Sequence, residues 1–232
     1  KMKDKKTSVN TKKTEQKTTG KKIGEFLESK AKIFGIILLV VIIGLLSYVI
    51  VTKVTENKVS KLLGELDAIK FELTDYTATP TDEEWAARFD KAKAAIAPYT
   101  QKSGIVGVRA NLMLGDICAT LENYTEAVTY YQAAADKKKN SYTYSFAYNQ
   151  LAVCYEQLKD FEKAADAYKV ASEDKDNRLK THALFNYGRV LEQQGNIEAA
   201  LEVYQKLVDE DPDNSYAMIA KTRILANEIK SK

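Results

Sequence analysis

The groups best suited to covalent or metal chemistry are two thiols and one imidazole: Cys118, Cys154 and His182. A single histidine excludes every site that needs two imidazoles. The cysteines lie 36 residues apart with no C-x-x-C spacing and no obvious further ligand, which argues against a metal. They fall on equivalent helices of successive repeats, with helix axes ~8–10 Å apart, whereas a disulfide wants Cα atoms within ~7 Å. Both read as small core residues, although an oxidising compartment leaves a disulfide open. His182 has no Ser or Cys at nucleophile spacing and reads as a surface or groove contact. Gly20-Lys21 lacks the glycine and hydroxyl of a phosphate loop. Gly104 and Gly107 read as a helix start. Acidic runs such as 82–84 and 209–211 sit at helix ends and turns, as solvated charge does. Asn123-Tyr124-Thr125 matches a glycosylation sequon, relevant only in a eukaryotic secretory cell. The chemistry therefore points away from an enzyme and from any cofactor.

The elements that would carry these residues differ sharply in charge. The 232 residues have a formal charge of +3. Residues 1–32 hold 11 Lys against 4 acids, a net +7; residues 33–51 hold no charge; residues 52–232 carry the remaining −4. The 1–32 segment has few apolar side chains in its first 22 residues and is expected to be disordered, because it cannot bury enough surface to offset ordering entropy. It lacks the aromatic and Arg platforms of a nucleic-acid binder.

Residues 33–51, Ile33 to Val51, have no polar stripe. As a helix they extend roughly 28 Å, close to the ~30 Å of bilayer hydrocarbon. The exit shows no small-x-small cleavage site, so an uncleaved anchor is expected. Six Lys in residues 13–32 against four in 52–71 put the N-terminus in the cytoplasm and the body outside it, periplasmic in a bacterium.

The body repeats itself. Leu114-Gly115, Leu151-Ala152 and Tyr187-Gly188 align. Ala127, Ala164 and Ala200 follow at one common offset, Tyr131, Tyr168 and Tyr204 at another, and Pro212 closes the third copy. Spacings of 37 and 36 residues separate the copies. Helices are expected near 105–121, 124–136, 143–158, 161–172, 179–194 and 197–209, with turns at 122–123, 159–160 and 195–196 and looser turns after Lys139 and Asp174. A last helix, 215–229, is expected to cap the stack with polar residues on its outer side.

With these residues in register, 108–213 resembles three tetratricopeptide repeats. The spacing exceeds that family's 34 residues, and Trp is absent from the first large position. The resemblance implies an all-α fold, a TPR-like antiparallel helix-pair solenoid, here behind a single transmembrane helix. It also implies a concave groove that binds peptides or protein segments. The groove positions are Arg109, Leu112 and Met113 in copy one, Phe146, Asn149 and Gln150 in copy two, and Phe185, Asn186 and Arg189 in copy three, extended by Arg223 in 214–232. The amides suit an extended peptide backbone, and the guanidiniums suit carboxylates. Met113 stands where the family's chaperone clamp wants Asn, which argues against that clamp.

In residues 52–107, Val59, Leu62, Leu66, Ile69, Leu73 and Tyr76 form a short a/d seam. Leu63 and Phe71 widen it, which favours docking on the first repeat over a dimer seam. Thr81 and Glu84 form a capping box after Pro80, and the pair of helices reads as a degenerate capping repeat. The chain therefore reads as a single-pass scaffold with protein or peptide partners, no nucleic acid, and self-assembly or a larger membrane complex as an alternative. Its layout is similar to that of the bacterial ancillary Sec translocon subunit and of flagellar collar proteins.

Overall fold

The computed structural model describes residues 4–74, 81–137, 142–174 and 178–230; the expected turn after Lys139, Tyr76 of the seam and Pro80 lie outside them. The chain divides into two units, residues 1–60 and 61–232. The structure among the described residues is helical.

The first helix, α1, runs Asp4–Thr74. Helix therefore occupies most of the segment expected to be disordered. Lysine is a good helix former, and extending an existing helix avoids the cost of nucleating one. Within the first unit, Ile36, Leu38, Val40, Leu45 and Ile50 are all more than half exposed. This stretch of α1 is long and apolar enough to cross a membrane.

The second unit holds the end of α1 and the remaining helices: α2 (Asp82–Ile96), α3 (Gly104–Thr120), α4 (Tyr124–Lys137), α5 (Tyr142–Gln157), α6 (Phe161–Glu173), α7 (Lys180–Gln193), α8 (Ile197–Glu210) and α9 (Ser215–Lys230). The pairs α3/α4, α5/α6 and α7/α8 are the three repeats, and each helix packs on the next in sequence. Sequence patterning places these helices to within two residues. The turns end the A helices through positive-φ residues, Glu122 (φ 59°), Lys159 (φ 61°) and Gly195 (φ 82°).

Each pair closes through one motif. Ala127, Ala164 and Ala200 are fully buried, and Tyr131, Tyr168 and Tyr204 are at most 2% exposed. The rings need room on the facing A helix. A Cβ on Gly115 or Gly188 would stand 2.6 Å from the ring of Tyr131 or Tyr204, so glycine permits the approach in copies one and three, while copy two carries Ala152 there. One buried cluster extends from Cys118 through these tyrosines to Ala217 and Ala220 of α9. Cys118 and Cys154 are free, buried thiols in it. Burial pushes both up to about 11, so they serve as core residues.

The capping box at α2 forms as read: Glu84 N donates to Thr81 Oγ1, and Thr81 N donates to Glu84 Oε2 at 2.7 Å. The seam helix docks within its own chain. Leu66 is fully buried, and Leu62, Ile69 and Leu73 are partly buried. Tyr99 donates to Glu65 at 2.8 Å, and Lys91 pairs with Glu72 at 2.8 Å. A dimer through the 59–76 seam would have to displace these contacts.

Candidate functional site

The expected groove residues lie on the A helices α3, α5 and α7 and on α9. Among these helix pairs, a tyrosine from each B helix reaches an acid on its own A helix. Tyr168 donates to Glu156 at 2.8 Å and Tyr204 to Glu192 at 2.8 Å. An arginine from the following helix then closes each group: Arg189 donates to Glu156 Oε1 at 2.7 Å, and Arg223 pairs with Glu192. Glu156 thus links copy two to copy three, and Glu192 links copy three to α9. Burial and the adjoining carboxylate hold both phenols well above their ordinary value.

The first junction is built differently. Tyr131 donates to Asp116 at 2.7 Å, and Gln150 reaches the same hydroxyl at 3.4 Å. The positions that hold Glu and Arg at the later junctions are here Ala119 and Val153. Burial raises Asp116 above its ordinary value, against the hydrogen bond from Tyr131 and the charge of Lys70.

The expected groove residues separate into two groups. Arg109 pairs with Asp67 of α1, and Met113 is 8% exposed where Lys70, Leu73 and Phe89 gather beside it. Leu112 packs against the core. Copy one is therefore covered by the chain's own first two helices. In copy three, Phe185 is 8% exposed, 5.8 Å from the Tyr204 ring, with the Arg223 guanidinium 5.7 Å over its own ring. Asn186 is buried. Its amide donates to His182 O at 3.0 Å and meets His182 Nε2 at 2.9 Å, while its carbonyl accepts from Arg189 Nε at 3.0 Å. The three guanidiniums thus meet acids of their own chain. Sequence reasoning treated each position singly and so missed the partners. The signal was available in the shared register of Glu156 with Arg189 and Glu192 with Arg223.

Copy two keeps groove residues open. Phe146 and Gln150 are half-buried, and Val153 and Tyr142 are 39% and 59% exposed. Asn149 is 3% exposed; its amide donates to Ser145 O at 3.0 Å, and its buried Oδ1 has no hydrogen-bond partner among the described residues. His182 is half-buried, and its Nδ1 is likewise without one. Because Nε2 accepts from Asn186, Nδ1 is the protonated, donating nitrogen. An acceptor and a donor are thus left unpaired on the A helices of neighbouring repeats.

Residues 108–177 and 181–214 match the Tetratricopeptide repeat family. A TPR repeat-containing protein of Treponema pallidum (strain Nichols) is 30% identical over 125 residues, 54% of this chain and 52% of that one. The chain thus spans about half the length of that relative. Among solved structures, the nearly identical TPR-like repeats of a kinesin-light-chain sequence from Podosopora anserina superpose with TM-score 0.55 at 10% identity, covering 71% of this chain and 84% of that one. The apo form of RapI superposes with TM-score 0.51 at 18% identity, covering 73% of this chain and 50% of that one. At these identities the likeness shows a shared fold. Repeats of this kind are protein–protein interaction scaffolds. The helix pairs, their tyrosine packing and the matched residues agree: residues 108–177 and 181–214 are similar to tetratricopeptide repeats in sequence and in fold.

Proposed function

We propose that this protein is a membrane-anchored adaptor that holds a peptide segment of a protein partner along the concave face of copies two and three. The observation that carries the reading is the unpaired Oδ1 of buried Asn149, beside the open apolar surface of Phe146, Val153 and Tyr142. A buried acceptor without a partner costs roughly 1–3 kcal/mol, which a peptide N–H would recover. His182 Nδ1 supplies the complementary donor for a peptide carbonyl. The neighbouring Glu156–Arg189 and Glu192–Arg223 pairs are neutral as units, so the site favours uncharged backbone and apolar side chains over acidic tails. Met113 and Arg109, engaged with α1 and α2, stand outside this site.

The anchor reading rests on the exposed apolar stretch of α1 and on the lysines before it. Orientation with the body outside the cytoplasm follows from the lysine asymmetry. The test of the groove is capture of partners from the protein's own membrane by wild type, Asn149→Ala and Val153→Glu. Loss of the same partners in both variants is expected; identical capture by all three would refute the groove. A reporter active only in the cytoplasm, fused at Lys232, is expected to be silent.

A further inference from the structure

The end of α1 and α2 cover copy one, but the cover does not close. A cavity of about 160 Å³ remains where α1, α2 and α3 meet. Its apolar lining is Leu73 of α1, Phe89 of α2, and Met113 and Ile117 of α3. Met113 and Ile117 are 8% and 4% exposed, and Leu73 and Phe89 are half-buried, so these four form the floor. Lys70, Asp116 and Thr120 also line the cavity and are exposed, so they form the mouth. Thr120 Oγ1 donates to Asp116 O at 2.8 Å and is committed to its own helix. The mouth therefore holds one cation and one anion, close enough for the Lys70 charge to act on Asp116. An apolar floor behind an opposed charge pair suits an apolar side chain on a polar, uncharged backbone.

The cavity also borders the open residues of copy two. Tyr131 donates to Asp116 Oδ1 at 2.7 Å, and Gln150 of α5 reaches the same hydroxyl at 3.4 Å. Gln150 lies within one helical turn of Phe146 and of Val153. A segment lying along those residues has only to cross the Tyr131 hydroxyl to arrive at Asp116.

We propose that this cavity is a side-chain socket. It takes one partner residue of the size of Leu, Ile, Met or Phe, whose N–H donates to Asp116 and whose C=O accepts from Lys70. The inference rests on the peptide-groove reading above and adds to it a sequence preference at one position. Size sets that preference. An apolar cavity of roughly 150 Å³ holds one benzene-sized group, so Ala underfills it and Trp does not enter. A charged side chain is rejected because the floor offers it no hydrogen-bond partner. Leu73 and Phe89 lie outside the repeats, so the docking of α1 and α2 completes a site that the repeats alone lack.

Random dodecapeptides displayed on phage and selected on the full chain in detergent micelles supply the probe. The selected peptides are expected to share Leu, Ile, Met or Phe at one position. Fluorescence anisotropy of one synthesised peptide then reads affinity. Ala at that position should weaken binding about tenfold, as loss of a buried apolar side chain does. Thr120→Trp closes the mouth from an exposed site. It should weaken the parent peptide by a similar factor and leave the Ala peptide unchanged. Phe89→Ala enlarges the floor and should let a Trp-substituted peptide bind as tightly as the parent, with circular dichroism confirming the fold of each variant. Asn149→Ala and Val153→Glu separate the two readings. Binding lost in those two variants but indifferent to Thr120→Trp and to the Ala peptide would overturn the socket and keep the groove. Binding indifferent to Asn149→Ala and Val153→Glu would overturn the groove, and selection of no peptide would overturn both.

Discussion

The junction between copies one and two and the junction between copies two and three share a backbone design but differ in their polar floor. Both seat a tyrosine from a B helix beside an acid on its A helix. At the later junction the acid, Glu156, is bridged to the next repeat by Arg189, whose side chain is 25% exposed against 16% for the glutamate. At the earlier junction Asp116 forms no such bridge among the described residues, and the next repeat offers Val153. The difference lies in two aligned positions: Glu156 and Arg189 at the later junction stand where the earlier one has Ala119 and Val153. An acid three positions further along the A helix than Asp116, with an arginine on the next repeat, forms the bridge.

Removing the arginine breaks the later junction and produces the largest effect. Arg189→Met is expected to destabilise the protein by about 1.5–3 kcal/mol, since it strips Glu156 of a charge-assisted partner in a half-buried setting. The matching change at the first junction, Val153→Met, is expected to be near neutral. Chemical unfolding of both variants checks the contrast; equal losses would mean the bridge contributes nothing.

A smaller contrast lies in the phenols. Tyr168→Phe removes the 2.8 Å bond to Glu156 and leaves that carboxylate with Arg189. A loss of about 1 kcal/mol is expected. Tyr131→Phe leaves Asp116 with no phenol donor, but water reaches this carboxylate, so the loss should be less than at Tyr168. Thermal unfolding of the two variants side by side reads the ordering, and a reversed order would contradict it.

These differences mark what sequence could and could not show. The helices were legible because Ala127, Tyr131 and their equivalents must recur wherever one helix pair stacks on another. The docking of α1 was legible from Leu63, which is partly buried, whereas Phe71, also counted as broadening the seam, is exposed. The fate of Arg109, Arg189 and Arg223 was not legible position by position, because each depends on an acid in another helix: Asp67, Glu156 and Glu192. Burial of Phe185 escaped notice for the same reason. It is covered by Tyr216 and Arg223 of α9, a helix read as a cap and as an extension of the groove rather than as a cover for Phe185. The apolar outer face of α9 was visible in the sequence as Met218, Leu225 and Ile229, and the expectation of a polar cap overrode it.

Acidification sharpens the comparison further. Burial, reinforced by the Arg189 charge, holds His182 below its ordinary value, and its ring meets Tyr216 edge-on with centroids 5.3 Å apart. A depressed imidazole is neutral in the fold and protonates first in the unfolded chain. Its contribution is fully present above the ordinary value of 6.5 and is lost as pH falls below it. The stability of wild type is expected to fall between pH 7 and 5 by more than that of His182→Gln, with melting temperatures across that range as the readout. Parallel pH profiles would remove His182 from the account.

The smallest effect has the opposite sign to the first. Burial raises Asp116, so its ionised form is disfavoured in the fold relative to the unfolded chain. An acid raised in this way costs nothing below the ordinary value of 3.8, where both states are protonated, and costs most above its folded value. Asp116→Asn keeps an acceptor for Tyr131 and removes the charge. It is therefore expected to stabilise at pH 7 by ~0.5 kcal/mol or less, discounted because Asp116 as a whole residue is exposed and Lys70 lies nearby. The gain should fade as pH falls toward 3.8. Glu156→Gln, at the bridged junction, should instead destabilise at pH 7, because it leaves Arg189 half-buried without its counter-charge. Opposite signs for two acids that accept the same tyrosine bond would show that the cation, and not the phenol, sets the worth of each junction.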